Sequence, residues 1–230
     1  MWNSTVNGET LHFHLAGINN QNFLMRDEET ATWWQQITGK AVSGPMKGAQ
    51  LDPVLSDELT FAQWKSEAPN GQVLLSVDRD KKLYEYDWEP KTAKYPVPIS
   101  FKGSGVGDRE VMIGFELNGV SRAYRLDSIL KQWPIIDRVG GVPLLLVVGP
   151  DKKSVRAFES RIDGADMEFF RKSDTTDWVL VDGSGGSEWN FQGCATQGPM
   201  QGKCLKQVTA LKDYWFDWKN YHPDTSVYAH

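Results

Sequence analysis

Short runs in which hydrophobic and polar residues alternate recur along the chain, and this period is typical of strands with one buried face. Between Leu11 and Leu15, apolar side chains alternate with His12 and His14. Residues 142–148 are almost continuously apolar, which predicts a strand buried on both faces. Helical periodicity is confined to two short segments, one between Thr60, a candidate N-cap, and Pro69, and one near residues 211–221. The pattern therefore predicts an α+β fold in which strands dominate.

The pattern occurs twice. Residues 39–74 align with residues 193–228 without a gap. The identical pairs are Gly39/Gly193, Ala41/Ala195, Gly44/Gly198, Pro45/Pro199, Met46/Met200, Gly48/Gly202, Leu51/Leu205, Val54/Val208, Trp64/Trp218, Lys65/Lys219, Pro69/Pro223 and Val73/Val227. The match continues upstream with small shifts, for example at Asp27 and Asp182. Such self-similarity indicates an internal repeat. We therefore predict two pseudo-repeated small sheets, each with a short helix.

The repeat divides the chain into three segments. Residues 1–75 form a first copy, and residues 99–230 form a second, more complete copy. Residues 76–98 form a connector, which holds charged residues of both signs and several prolines. Its interleaved aromatic side chains are Tyr84, Tyr86 and Trp88. We expect these aromatic side chains to pack on a neighbouring domain.

The two copies differ in how complete they are. Residues 99–156 carry strand patterns that have no counterpart before residue 1, including two strands joined by a predicted hairpin turn at Asn118-Gly119. The first copy therefore lacks strand partners, and an unpaired sheet edge promotes association. We expect the edge at residues 9–15 to pair with the middle of the chain or with a second chain in a homodimer.

Composition narrows the class of protein without naming a ligand. The net charge of −5 provides no basic surface for nucleic acid. No apolar run reaches the roughly 20 residues of a membrane helix, and residues 1–4 show no signal-peptide pattern. The two cysteines, Cys194 and Cys204, flank a predicted turn, and this spacing favours a disulfide over two buried thiols.

Several spaced motifs resemble a prokaryotic family known only as a domain of unknown function. They are residues 111–124, residues 137–143 and both segments that carry Gly-Pro-Met-x-Gly. That family is marked by a Cys-Pro-Leu-Cys motif and a Trp…Gly-Pro-Leu-x-Gly segment, and its members are often exported or lipid-anchored. The resemblance covers nearly the whole chain. It implies an architecture and a periplasmic or extracellular location, but no reaction.

The chain departs from the family pattern where chemistry would be expected. Residues 148–151 stand in place of Cys-Pro-Leu-Cys in the second copy, and the first copy begins just after the position of that motif. A truncated start would explain this beginning. The chain thus resembles one and a half copies of the family unit without its cysteine motif. We therefore expect a non-catalytic, exported binding or scaffold protein without a cofactor.

The alternative is a metal-binding or hydrolytic enzyme with its site in the first copy. His12 and His14 share one face of a strand and could bind copper or zinc if a third ligand joined them. The second copy has Glu168 and Phe170 at these positions, so the pair is not repeated. Asp27 could act as a general base, although a carboxylate after a strand more often holds the following turn.

The 10 tryptophans suggest a third hypothesis. Two tryptophan positions recur in both copies and are predicted to anchor the core: Trp34/Trp189 and Trp64/Trp218. Others do not recur and are candidates for a surface or cleft: Trp33, Trp88, Trp133 and Trp215. Exposed tryptophan beside amide side chains could bind a sugar or a peptide. The candidate ligand residues are Trp33, Asn20, Asn22, Gln35, Gln36 and Asp27.

Overall fold

A computed structural model describes residues 1–172 and 178–229, and its many strands and short helices confirm the predicted β-rich α+β class. We call residues 1–75 the first unit and residues 99–229 the second unit. The first unit has strands β1 (Thr5–Val6), β2 (Glu9–Thr10), β3 (Phe13–Asn19), β4 (Asn22–Asp27), β5 (Trp33–Gln35) and β6 (Ala41–Ser43). The second unit has β7 (Val111–Leu117), β8 (Val120–Arg125), β9 (Ile135–Val139), β10 (Val142–Val148), β11 (Val155–Glu159), β12 (Arg161–Ile162), β13 (Ala165–Asp166), β14 (Phe169–Arg171), β15 (Leu180–Asp182), β16 (Glu188–Trp189), β17 (Ala195–Gln197), β18 (Lys206–Gln207), β19 (Leu211–Tyr214) and β20 (Ser226–Val227). The helices are α1 (Phe61–Glu67), α2 (Trp88–Thr92), α3 (Leu126–Gln132) and α4 (Trp215–Tyr221), with a 3-10 helix at Asp78–Leu83.

The first unit is built on an antiparallel sheet in the order β3–β4–β5–β6, preceded by the β1–β2 hairpin. The alternation predicted for its first strand holds only in part. Leu11 is buried and Phe13 is half-buried, but Leu15 is 61% exposed. A bulge between Leu15 and Gly17 shifts the register against β4 and ends the regular alternation of faces.

The second unit repeats this sheet in the order β14–β15–β16–β17, after the β12–β13 hairpin. Phe13 packs edge-on against Trp34 with ring centroids 5.9 Å apart. Phe169 packs in the same way against Trp189 at 5.4 Å. The two sheets therefore share both strand order and aromatic packing.

The Gly-Pro-Met turns occupy equivalent places in the two sheets. Gly44 and Gly198 both have positive φ, at 106° and 89°. A Cβ atom would lie 2.7 Å from the Cα of Thr32 at the first position and 2.7 Å from the Cα of Ser187 at the second. Glycine is required at both turns for the backbone angle and for the close approach.

The middle of the chain adds two sheets to the second unit. Their orders are β18–β11–β10–β9 and β19–β7–β8–β20. Strand β10 lies between two neighbours and is buried over almost its whole length, which explains the apolar run at residues 142–148. Asn118 and Gly119 join β7 to β8 with φ of 49° and 76°, as a two-residue hairpin requires.

Helix α4 begins later than the sequence pattern suggests. A helix was expected near residues 211–221, but residues 211–214 form β19, which pairs antiparallel with β7. The edge of β7 offers hydrogen-bond partners to these residues, and such tertiary contacts outweigh weak local helix propensity. The helix is then limited to seven residues and ends before Pro223.

The expectation that the connector packs its aromatic side chains on a domain is wrong. Tyr84, Tyr86 and Trp88 are all exposed. Charged residues of the connector pair locally, as Lys81 does with Asp78 at 2.6 Å. This segment therefore keeps a solvated, charged surface.

Helix α1 packs on the second unit. Thr60 caps the helix, and its backbone N–H donates to Ser154 Oγ at 3.0 Å. The Arg156 guanidinium, whose side chain is 5% exposed, bonds the carboxylates of Asp57 and Glu67. An ion triad with a buried arginine thus joins the two units.

Strand β3 has only β4 as a neighbour within residues 1–172 and 178–229. Among the described residues, no strand from the middle of the chain pairs with this edge. Of the two partners expected for it, only a second chain is left, and the homodimer stays a prediction.

Candidate functional site

An open cleft of about 980 Å³ lies where the two units face each other. Its first-unit side includes Trp2, Asn22 and Gln36, and its second-unit side includes Asp213 and Trp218. The volume suits a small molecule, and clefts between units are common positions for ligand sites. The cleft is therefore the candidate functional site.

A group of polar side chains from both units lies beside this cleft. We call it the junction cluster, and its members are Asn22 of β4, Gln35 of β5, Asp213 of β19, and Asp217 and Tyr221 of α4. Asn22 Nδ2 donates to Asp217 Oδ2 at 3.0 Å. The Gln35 carboxamide lies beside the Tyr221 hydroxyl. Asn22, Asp213 and Tyr221 also line the cleft, so the cluster is reached from it.

The local fold explains how the carboxyl groups come together. Asp217 and Tyr221 are one helical turn apart on α4 and so share a face of the helix. Asp213 lies at the end of β19, just before the helix begins. The carboxyl groups of Asp213 and Asp217 are close enough to hydrogen-bond with each other.

The junction cluster holds buried polar atoms without hydrogen-bond partners in the described residues. Three of them are amide atoms, namely Asn22 Oδ1, Gln35 Oε1 and Gln35 Nε2. The other two are Asp213 Oδ2 and Asp217 Oδ1, whose carboxyl groups can bond each other only through a shared proton. Gln35 is only 3% exposed. Unpaired buried polar atoms cost free energy, typically about 1–3 kcal/mol each. A concentration of them at one place indicates a site that favours an added partner.

Burial changes the charge state of the cluster. Burial, and then the neighbouring Asp217 carboxylate, raise the pKa of Asp213 to about 8. Burial also raises the pKa of Asp217, against the hydrogen bond from Asn22 that lowers it. Two carboxyl groups in contact favour sharing one proton. The pair therefore favours holding one proton over carrying two negative charges.

The structure brings together three of the six ligand residues predicted from sequence. Asn22 and Gln35 belong to the junction cluster, and Gln36 lines the cleft while its carbonyl accepts a hydrogen bond from the Trp2 indole at 2.6 Å. Asn20 lies in the tight turn between β3 and β4, with φ of 52°. Two further predicted residues, Trp33 and Asp27, lie outside both the cluster and the cleft lining.

Trp33 packs within its own sheet. It is half-buried, and a Cβ on Gly17 would lie 3.2 Å from its ring. Trp215 was a candidate for a surface or cleft, but it is buried, because it belongs to the core cluster that includes Met112 and Trp218. Of the non-recurring tryptophans, Trp88 is exposed.

Asp27 is buried and holds the turn after β4. It accepts hydrogen bonds from the Trp34 indole at 2.7 Å and from the Thr30 hydroxyl at 2.8 Å. Burial raises its pKa, but these hydrogen bonds outweigh burial and lower the pKa overall. Asp182 accepts from the Trp189 indole at 3.0 Å in the same way. The repeated Asp–Trp pair supports a structural role for both carboxylates.

His12 and His14 both lie on the exposed surface. The ring Nδ1 of His12 is 2.6 Å from Glu29 Oε1, and this hydrogen bond raises the pKa of His12. His14 lies opposite Arg26 in the β3–β4 ladder. In residues 1–172 and 178–229, no group of three or more His, Cys, Asp or Glu side chains is placed to hold a metal ion.

Cys194 and Cys204 form a disulfide. They also form an isolated antiparallel bridge. The equivalent bridge in the first unit joins Lys40 and Gln50. The disulfide therefore reinforces, in one copy, a contact that the other copy makes through its backbone.

Sequence reasoning missed Asp213, Asp217 and Tyr221. The repeat did contain a signal. Asp213 and Asp217 of the second copy align with Leu59 and Gln63 of the first copy, which carry no charge. Two carboxylates that appear in only one copy of a repeat, four residues apart, indicate a feature specific to that copy. Their first-unit partners, Asn22 and Gln35, are distant in sequence, so the contact depends on the tertiary fold.

The fold is that of a β-rich α+β protein, and each of its two units contains an antiparallel sheet of four strands in sequential order. The chain belongs to the family described as "Protein of unknown function (DUF3179)", whose sequence pattern matches residues 1–225. No curated protein and no solved structure matches the chain. In the part of the chain that the structure describes, no helix is long and apolar enough to cross a membrane.

Proposed function

We propose that the protein binds a small polar ligand in the cleft between its two units and is not an enzyme. The observation that carries this proposal is the junction cluster, because Asn22, Asp213 and Tyr221 line the cleft and the buried polar atoms of the cluster lie beside it. Both units contribute to it, so a ligand there would also hold the units together. Trp2 and Trp218 line the same cleft and supply apolar contact surface.

Two other hypotheses have less support. A metal or hydrolytic site around His12, His14 and Asp27 would need these side chains to converge, but Asp27 is buried under Trp34. Carbohydrate or peptide binding through exposed tryptophan would rest on Trp88 in the connector. Sugars and peptides are therefore candidate ligands of the cleft.

Ligand screening tests the proposal. We expect at least one compound in a panel of amino acids, sugars, short peptides and nucleosides to raise the melting temperature and quench tryptophan fluorescence. Thr209→Trp places a large side chain into the cleft from an exposed lining position. This variant should weaken binding at least tenfold, because ligand and indole would compete for the same space.

Thr196→Trp is the matched control, because Thr196 is exposed on β17 and lies outside the cleft lining. It should bind as the unmodified protein does. Binding that is equally strong in Thr209→Trp would exclude the cleft as the site. A panel without any hit would favour the scaffold role over ligand binding.

We also infer that the protein is exported and represents one and a half copies of the family unit. The Cys194–Cys204 disulfide supports export, because such bonds persist mainly in oxidising compartments. The second unit has two sheets that the first unit lacks, which supports an incomplete first copy.

We further propose a homodimer through the free edge of β3. Leu15 and Ile18 on this strand are exposed and apolar, and an unpaired edge favours strand addition. Light scattering should therefore give twice the 26.0 kDa chain mass. Ile18→Lys should yield a monomer, whereas Val120→Lys on β8 should not change the mass. A monomeric unmodified protein would contradict this proposal.

A further inference from the structure

Helices α1 and α4 are equivalent elements of the repeat, and both turn a polar face towards the other unit. Lys65 Nζ donates to the Pro69 carbonyl at 2.7 Å in the first unit, and Lys219 makes the same contact with Pro223 at 2.5 Å in the second. The two helices can therefore be compared residue by residue.

On α1, the polar face meets a cation of the protein. Glu67 and Asp57 are bonded by the Arg156 guanidinium, at 2.8 Å and 2.6 Å from Arg156 Nη2. Gln63 Nε2 donates to Glu67 Oε1 at 2.7 Å and completes this arrangement. The carboxylates next to α1 are thus compensated by a buried positive charge from the other unit.

On α4, the corresponding face carries carboxyl groups without such a cation. Asp217 aligns with Gln63, and Asp213 aligns with Leu59. In residues 1–172 and 178–229, no lysine or arginine forms a salt bridge with Asp213 or Asp217. The first-unit residues opposite them are Asn22 and a Gln35 side chain that is 97% buried and unpaired, and these are amides.

We propose that the junction cluster binds a positively charged group through two unpaired amide oxygens and two carboxyl oxygens, where the cation replaces the proton that Asp213 and Asp217 share. The inference deepens the proposed function and rests on it, because the cation would enter from the cleft. Four acceptor oxygens and a single unpaired donor favour a ligand that is rich in donors or is a metal ion. The bound cation would pair with the carboxyl groups next to α4, as Arg156 pairs with those next to α1.

Two sources supply this chemistry. A hard divalent cation such as Ca²⁺ prefers carboxylate and carbonyl oxygens, which are the ligands present here. A primary ammonium group carries three N–H donors and one positive charge, and these also match acceptor oxygens. A neutral group would leave the shared proton in place, and an anionic group would add a like charge beside the buried carboxyl pair, which is costly.

Calorimetric titration of the full chain, after treatment with a chelator in an amine-free buffer, tests the proposal. One arm uses CaCl₂ and MgCl₂ alone, and the other uses ethanolamine and cadaverine as hydrochlorides. We expect saturable binding in one arm, together with a higher melting temperature. The arm that responds identifies the source of the cation.

Asp217→Asn should weaken that binding at least tenfold, because it keeps the shape of the side chain and removes the charge. Asp224→Asn is the matched control on an exposed aspartate beyond α4 and should bind normally. Gln35→Lys is a second variant, in which an internal ammonium group should abolish cation binding. Melting curves of all three variants show whether each one is folded.

No binding in either arm would overturn the inference, as would binding that persists unchanged in Asp217→Asn. These outcomes are distinct from failure of the proposed function. A neutral or anionic compound that binds and is blocked by Thr209→Trp would support the cleft and refute the cation. Cation binding that is unaffected by Thr209→Trp would support the junction cluster as the cation site and would show that the rest of the cleft does not take part in this binding.

Discussion

Replacing Arg156 with methionine is expected to lower the free energy of unfolding by about 4 kcal/mol. The guanidinium is buried and bonds both Glu67, whose side chain is 16% exposed, and Asp57, whose side chain is 26% exposed. Methionine retains much of the apolar stem but leaves the two carboxylates close together without compensation. Removing one partner of a buried ion pair costs more than the pair contributes, because the remaining charges stay desolvated.

Urea denaturation followed by tryptophan fluorescence measures this loss. Lys206→Met is the control, because the Lys206 side chain is 81% exposed and lies 3.8 Å from Glu159. Such a surface pair should contribute less than about 1 kcal/mol. Adding Glu67→Gln to Arg156→Met should recover part of the loss, because one stranded charge is removed. Equal effects of Arg156→Met and Lys206→Met would show that the triad does not stabilise the folded protein.

The sequence predicted those parts of the fold that depend on local or repeated signals. The Asn118-Gly119 hairpin, the buried strand at residues 142–148 and the Thr60 cap of α1 all follow from short-range rules. The disulfide was also predicted, because Cys194 and Cys204 flank a tight turn. Each of these features has its physical cause within a few residues of the chain.

Features with a distant cause were missed or misplaced. Residues 211–214 form a strand because β7 lies beside them, and nothing within that segment indicates this pairing. The connector was expected to pack its aromatic side chains, but its charges pair locally and its aromatic side chains remain in water. In both cases the environment of the segment decided its structure.

The candidate site was likewise predicted only in the part that has a local sequence signal. Asn22, Gln35 and Gln36 could be proposed as ligand residues because amides near tryptophans suggest binding. Their partners on α4 lie roughly two hundred residues away in the chain, as the Asn22–Asp217 separation of 195 shows. A contact between repeats is set by how the copies pack, and a single sequence does not encode this packing in any local pattern.

Asp213→Asn is expected to stabilise the protein near pH 8 while leaving its stability near pH 4 almost unchanged. Burial and the Asp217 carboxylate raise the pKa of Asp213 from 3.8 to about 8 in the folded state. The folded protein therefore keeps a proton that the unfolded chain releases as the pH rises. This stabilisation is fully present below about pH 4 and is lost as the pH approaches 8.

The size of this difference in stability follows from the pKa shift of Asp213. Each pKa unit corresponds to about 1.4 kcal/mol, and relaxation around a buried carboxylate reduces the total, so we expect a difference on the order of 3 kcal/mol. Asparagine has no proton to lose, and Asp213→Asn should therefore be the more stable protein near pH 8. Urea denaturation of chelator-treated protein at both pH values measures the difference, and a bound cation would reduce it.

Asp224→Asn separates this effect from a general change in net charge, because it removes the same charge from an exposed position. Its stability should follow that of the unmodified protein at both pH values. If the unmodified protein instead gained stability relative to Asp213→Asn between pH 4 and 8, the Asp213 carboxylate would be favoured in its ionised form. That result would require a positive charge already next to Asp213, supplied by the protein itself, and the cluster would then have no need of a cation from the cleft.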